Sequence, residues 1–195
     1  MAHEGTQLIL ASGSSRRKNL FRYLDLKFRT IPSNFDERGI PLSKPETYVK
    51  TLAYEKANSV DKNIGTGVII AADTVVVLGR KILNKPINKK EAYAMLEGLS
   101  GSTIKVVTGL CVIDVAKKRC KTASVTTKVR FIKLSDKLIK RYLCVGNVLT
   151  KSGAWSIEGD GAAFVERVDG SYTNLFGIPV QTLYKIFRKL SIEVS

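Results

Sequence analysis

The sequence predicts an α/β protein with a mixed β-sheet, helices on its faces, and two lobes with a cleft. Two observations carry this. Apolar strand-like runs alternate with segments whose apolar residues recur at helical spacing, in both halves of the chain. A β-rich middle, Lys105–Val115 and Thr122–Lys133, lies between helix-rich ends. No long linker, internal repeat or low-complexity tract interrupts the 195 residues, so 1–195 is expected to be one domain with two lobes.

Each element has its own signal. Gln7–Ala11 is an apolar strand that stops at four small residues, Ser12, Gly13, Ser14 and Ser15. Arg16–Leu24 follows as a helix, with Leu20, Phe21 and Leu24 at helical spacing. Phe28–Pro32 is a short strand. Pro45–Val60 is a helix, with Ser43 as candidate cap and Glu46 three residues on. Val68–Ala72 is a buried strand expected to end on Asp73. Val75–Leu78 and Ile82–Leu83 flank Gly79 as a hairpin would. Asn88 caps a helix running to Leu99, with Ala92, Met95, Leu96 and Leu99 inward. The loop Ala116–Lys121 joins the two middle strands. Ser135–Tyr142 is a helix capped by Ser135, Phe164–Val168 a strand ending at Asp169-Gly170, and Pro179–Leu190 the closing helix. Leu183, Ile186, Phe187 and Leu190 form its inner stripe.

Composition narrows the chemistry. The only histidine is His3, in a tail expected to be mobile. One such residue excludes Ser–His–Asp and Cys–His nucleophilic catalysis and the His-rich zinc centres. What remains is Asp, Glu, Lys, Arg or a hard metal held by carboxylates. Three cysteines, Cys111, Cys120 and Cys144, form no C-x-x-C pair. They read as free thiols of a reducing compartment, each buried by packing. No apolar run reaches the ~18 residues of a membrane span, and no leader is expected before Leu8, so a cytoplasmic protein is expected. The net charge is +15, with lysines spread along the chain rather than gathered in an arm. That pattern favours surface charge plus a small polyanionic ligand over RNA or DNA, and no membrane partner.

The segment Leu8–Lys18 says most about function. A strand runs into a hydroxyl-rich turn, and Arg16, Arg17 and Lys18 follow in the first helical turn. Helix N-terminal N–H groups, hydroxyls and guanidinium groups then converge on one spot, an anion site that suits phosphate. Asp73-Thr74 follows a fully apolar strand, where α/β sheets place ligands. Asp73 could bind Mg²⁺ or act as general base. Glu37 is a second potential ligand for metal or water. Lys56 borders the apolar face of its helix. Lys85 precedes Pro86, which holds it extended and could aim it into the cleft. The Gly153–Gly161 loop carries Trp155, which either stacks on a base or belongs to the core. Neither G-x-x-x-x-G-K-[ST] nor G-x-G-x-x-G occurs after a strand, so P-loop and dinucleotide readings fail.

Taken together, these stretches resemble the Maf family, the septum-formation-protein homologues. The matches occur in family order over about Leu8 to Leu190. They are Leu8–Ser12 with Ser14, Arg16 and Arg17; Asp36-Glu37; Leu52-Ala53 with Lys56-Ala57; Ala72–Val75; Lys85-Pro86; Met95-Leu96 with Leu99–Gly101; Thr108-Gly109; Lys151 with Gly153; Ile157 with Gly159; and Gly177–Pro179. The resemblance implies an elongated α/β fold similar to the inosine triphosphate pyrophosphatases. It implies hydrolysis of a nucleoside triphosphate to the monophosphate and pyrophosphate with a divalent cation, Mg²⁺ or Mn²⁺, in a homodimer. It places Ser12, Arg16, Lys56 and Lys85 around the phosphates, with Ser14 and Arg17 in the same loop. Asp73 matches the family's general base and Glu37 its acidic partner for metal or water.

The base-recognition pattern is mixed. Arg16 and Thr74 are similar to family members acting on dTTP and UTP, whereas Glu158 looks like the branch acting on 7-methyl-GTP. An amide complements both the O4 acceptor and N3–H donor of a pyrimidine edge, while a carboxylate only accepts. The expected substrates are UTP and dTTP, with 7-methyl-GTP as the alternative. A nucleotide- or RNA-binding regulator without turnover is the rival of another class.

Overall fold

A computed structural model describes residues 6–62, 64–145 and 147–194; His3 lies outside them. The strands are β1 (Leu8–Leu10), β2 (Phe28–Thr30), β3 (Val68–Leu78), β4 (Lys81–Leu83), β5 (Thr103–Asp114), β6 (Arg119–Phe131) and β7 (Val165–Asp169). The α-helices are α1 (Ser15–Tyr23), α2 (Pro45–Asp61), α3 (Lys89–Leu99), α4 (Asp136–Val145) and α5 (Val180–Lys189). The seven strands form one mixed sheet in the order β2-β1-β3-β5-β6-β7, with β4 paired to β3. β1 is parallel to β2 and β3, while β3–β4 and β6–β7 are antiparallel. Among the described residues no helix is long and apolar enough to cross a membrane.

The chain divides into two compact units. The first comprises residues 1–73, 108–125 and 176–195. Its sheet is buried on both faces, and the two-residue period of a strand sorts its side chains between two cores. Leu8 and Leu10, Val68, Ile70 and Ala72, and Leu110 and Val112 pack with Phe21 of α1 and Leu183, Ile186 and Phe187 of α5. Their odd-numbered neighbours Ile9, Ala11, Ile69, Ala71, Cys111 and Ile113 pack with Ala53, Ala57 and Val60 of α2. The stripe expected on α5 is therefore the one buried.

Gly109 lies on the α2 side of β5, and it sets how closely that helix approaches. A Cβ built there would stand 2.1 Å from the Val49 carbonyl oxygen. Gly109→Ala should lower the melting temperature by about 5 °C through roughly 1–3 kcal/mol of overpacking. Gly65→Ala, with nothing within 4 Å of the new carbon, should leave it unchanged. A thermal melt of the two variants checks this, and equal melting points would contradict it.

The second unit comprises residues 74–107 and 126–175. The β3–β4 hairpin turns at Gly79, with φ of 59°, and pairs Val77 with Ile82. Asn88 caps α3 by accepting a bond from the Glu91 N–H at 2.8 Å, and the Ser135 hydroxyl accepts from the Leu138 N–H at 3.3 Å. Both caps are those expected from sequence. Trp155 is core: its ring meets Phe131 edge-on at 5.0 Å, and its Nε1–H donates to the Gly161 carbonyl at 2.8 Å. Of the two readings the sequence left open, this is the core one: the residue is buried and its one donor is engaged.

Three expectations are corrected. β3 does not end at Asp73 but runs on to Leu78, because Lys56 neutralises the Asp73 carboxylate and the three valines that follow favour a strand. Ser43 does not cap α2. Lys44 holds that position without a side-chain bond, and Pro45 starts the helix at the position where its missing N–H costs nothing. Of the cysteines only Cys111 is buried; Cys120 and Cys144 are exposed.

Candidate active site

Seven of the residues singled out from sequence, Ser12, Ser14, Arg16, Arg17, Glu37, Lys56 and Asp73, lie in the first unit. β1 ends at Leu10, and the next backbone bonds are still sheet-like: the Ala11 N–H donates to Ile70 O at 2.8 Å. The chain then turns at Ser12, which is buried. The Ser12 hydroxyl oxygen accepts from the Ser14 N–H at 3.3 Å and from Arg17 Nη1 at 3.1 Å. Arg17 Nε donates to the Gly177 carbonyl at 3.1 Å. The half-buried Arg17 guanidinium therefore ties the turn after β1 to the segment before α5. Burial pulls its pKa down to about 10, with Asp73 opposing and Arg16 adding to the fall. It remains a cation at neutral pH.

Ser14 is the N-cap of α1, with no side-chain cap bond, and no acidic residue lies in the first turn. Arg16 and Arg17 occupy that turn instead. Two cations at the positive end of a helix oppose the macrodipole, so the local field there is strongly positive.

On the other side of the sheet, Ile69, Ala71 and Asp73 share one face of β3 by alternation. The first two pack beneath Ala53 and Ala57. The next position along the row carries a carboxylate, and α2 places Lys56 opposite it. Lys56 Nζ stands 2.5 Å from Asp73 Oδ1 and 2.8 Å from Glu37 Oε1. The side chains of Lys56 and Asp73 are 14% and 12% exposed, that of Glu37 50%. One ammonium thus bridges two carboxylates, one deep and one at the surface. Glu37 comes from a short 3-10 turn, Glu37–Gly39, begun by Asp36, whose side chain accepts from the Arg38 N–H.

The positions of the arginines and carboxylates are linked electrostatically. The charges of Asp73, Arg16 and Glu37 all act on Arg17. Asp73 and Glu37 also push the Tyr48 phenol up, after burial as the first cause. Tyr48 was not singled out from sequence. Its signal was available: Tyr48, Leu52 and Lys56 are spaced i, i+4, i+8 along α2. Gly177, whose carbonyl anchors Arg17, had no signal beyond its place in a matching stretch.

The remaining candidates belong to the second unit. Thr74 follows Asp73 in β3, and its carbonyl accepts from the Ser152 hydroxyl at 3.5 Å. Lys85 is exposed between Asn84, whose carbonyl accepts from the Gly153 N–H at 3.0 Å, and the buried Pro86. Glu158 is exposed and receives a 3.4 Å bond from the Ser156 hydroxyl. It lines a pocket of about 510 Å³ with Tyr142, Asn147, Lys151 and Ser156.

Among the described residues no three His, Cys, Asp or Glu side chains gather as a metal-binding group. Asp73 and Glu37 do converge on one point, that of the Lys56 ammonium. Two carboxylates drawn to one cation are the donor type a hard divalent cation takes, and such a cation seldom has an all-protein cage in phosphate sites.

The family model described as "Maf-like protein" matches residues 7–190. A dTTP/UTP pyrophosphatase of Syntrophomonas wolfei is 38% identical over 185 residues, covering 95% of this chain and 98% of that protein. A dTTP/UTP pyrophosphatase of Clostridium perfringens is 40% identical over 190 residues, covering 96% and 99%. Among solved structures, the Staphylococcus aureus Ham1 protein aligns over 76% of this chain and 85% of its own, with 13% identity and a TM-score of 0.44.

Proposed function

Because this chain belongs to the Maf-like protein family, we propose that it is a nucleoside triphosphate pyrophosphatase acting on dTTP and UTP. It would release the monophosphate and pyrophosphate. The observation that carries this reading is the bridge of Lys56 between Asp73 and Glu37, two carboxylates whose charges reach Arg17 at the start of α1. Two relatives of nearly equal length bear the name of that activity.

The residues divide the work as follows. Arg16, the Ser14 hydroxyl and the N–H groups at the positive end of α1 bind phosphate oxygens. Arg17 holds the Ser12 turn in shape through Ser12 and Gly177 and adds its positive charge to the phosphate site. Lys56 neutralises phosphate charge and keeps the Asp73 carboxylate oriented. Asp73 takes the proton of the attacking water, and Glu37 orients that water from the opposite side. Lys85 adds a further cation for the phosphates. Asp73 and Glu37 would hold a divalent cation, Mg²⁺ or Mn²⁺, which would supply positive charge against the triphosphate. Cleaving a phosphoanhydride needs positioning and charge neutralisation rather than a covalent nucleophile. A chain whose sole histidine is His3 can meet that need.

Thr74 and Glu158 read the base on this account. Glu158→Gln should raise kcat/KM for UTP and dTTP by roughly tenfold, since an amide satisfies both groups of the pyrimidine edge where a carboxylate satisfies one. The same reading takes residues 1–195 as one Maf-like domain of a cytoplasmic homodimer. The test is kcat/KM across UTP, dTTP, CTP and 7-methyl-GTP with Mg²⁺ or Mn²⁺. Highest values for UTP and dTTP are expected. A preference for 7-methyl-GTP would overturn the substrate assignment, and no turnover on any nucleotide would overturn the activity.

A further inference from the structure

Cys111 and Cys120 stand on neighbouring strands β5 and β6, and their sulfurs are 3.6 Å apart. Cys111 is fully buried, on the α2 side of the sheet among Ala53, Ala57 and Ile113. Cys120 is exposed. The site described above uses neither. An exposed thiol in contact with a buried one is the arrangement of an attacking and a resolving cysteine. We propose that Cys111 and Cys120 form a reversible oxidation site, which a hydroperoxide converts to an intramolecular disulfide between the two strands.

The chemistry balances in two steps. The Cys120 thiolate attacks the terminal oxygen of the hydroperoxide. An S–O bond forms, the O–O bond breaks, and the departing alkoxide or hydroxide takes a proton from water. Cys120 is then a sulfenic acid, oxidised by two electrons, and the hydroperoxide is reduced to an alcohol or water. The Cys111 sulfur next attacks the sulfenic sulfur. The S–S bond forms, the S–O bond breaks, and hydroxide leaves as water with the Cys111 proton. Closing the bond brings the sulfurs together by about 1.5 Å, to a disulfide length near 2.05 Å.

The local electrostatics assign the roles the same way. The hydrogen bond from Cys111 holds the Cys120 thiol down, at about 7, with Lys121 adding to the pull against burial and Asp61. Cys111 itself is pushed well up, by its bond to Cys120 first and burial second. Of the two, Cys120 is therefore the one that ionises more readily, and it is also the one exposed to an oxidant. Without a resolving partner an exposed thiolate goes on to sulfinic and sulfonic acids, which thiol reductants do not restore. Cys111 diverts it to a form they do restore.

The test uses the native full-length protein, exposed to hydrogen peroxide, quenched with N-ethylmaleimide and digested with trypsin. Lys117, Lys118 and Arg119 lie between the two cysteines, so digestion separates their peptides unless a disulfide joins them. The expected product is Val106–Lys117 linked to Cys120-Lys121, two hydrogens lighter than the separate peptides. Dithiothreitol should dissolve it, Cys120→Ser should abolish it and Cys144→Ser should leave it. In Cys111→Ala, a peroxide dose from which the wild type recovers should leave Cys120 irreversibly oxidised. Equal loss of Cys120 in Cys111→Ala and wild type would overturn the proposal. So would a wild-type product in which Cys111 is alkylated while Cys120 is a sulfinic acid, or one linking Cys120 to Cys144.

Discussion

Asp73→Asn should lower kcat for UTP and dTTP by about 10²-fold or more, the effect expected for a positioned acid–base group. The substitution keeps shape and volume, so the fold offers no other route to such a loss. Asp73 sits on the row that begins with Ile69 and Ala71, and an amide fits there as a carboxylate does. What the amide lacks is the capacity to accept a proton and the charge that holds Lys56 at 2.5 Å. KM should change much less than kcat, since the phosphate-binding groups at the start of α1 are untouched. Steady-state kinetics beside a thermal melt check both parts. Activity near that of wild type would remove Asp73 from the mechanism.

The second large effect is expected at Lys56. Lys56→Met removes the ammonium that separates Asp73 from Glu37 and leaves two carboxylates facing each other where a triphosphate must approach. Loss of such a preorganised charge typically costs about 10²–10³-fold, and kcat/KM should fall by that order. Breaking a largely buried pair on one side also costs about 3–5 kcal/mol where the remaining charge stays uncompensated. Here Glu37 is half exposed, so water relieves part of that cost. The melting temperature should fall less than a fully buried pair would predict. Lys56→Arg keeps the charge but not the compact shape, and should recover part of kcat/KM. A Lys56→Met protein with unchanged kcat/KM would contradict the assignment.

Much of this site was legible before any coordinates, for physical reasons. The Ser12–Arg17 segment combines an apolar strand, small hydroxyl residues and cations in one short run, and few other structures suit that composition. The helix caps at Asn88 and Ser135 are local side-chain-to-backbone bonds that depend on a few adjacent residues. The parity of side chains along β1, β3 and β5 follows from the strand period alone. It also places Asp73 on the α2 side once β3 is known to continue.

What stayed hidden depended on distant partners. Asp73 read as the end of a strand because a carboxylate usually marks one. Its tolerance inside β3 comes from Lys56, seventeen residues away and on another element. Arg17 was legible as a cation of the Ser12–Arg17 loop but not as a tie between distant segments. Its bond to the Gly177 carbonyl spans 160 residues, which no local pattern records. Cys111 and Cys120 read as scattered thiols because their nine-residue spacing matches no motif. Only the turn between β5 and β6 brings them together. Trp155 could serve core or ligand from sequence alone, and the Gly161 carbonyl decided it by accepting its N–H.

The most direct test of the central claim is the identity of the first product. Wild-type protein turning over dTTP with Mg²⁺, followed by ³¹P NMR, should release pyrophosphate and the monophosphate in equal amounts from the earliest time points, with no orthophosphate and no diphosphate nucleotide. Orthophosphate and dTDP as the first products would place the cleaved bond elsewhere, and would contradict an account in which this site attacks the anhydride next to the nucleoside phosphate.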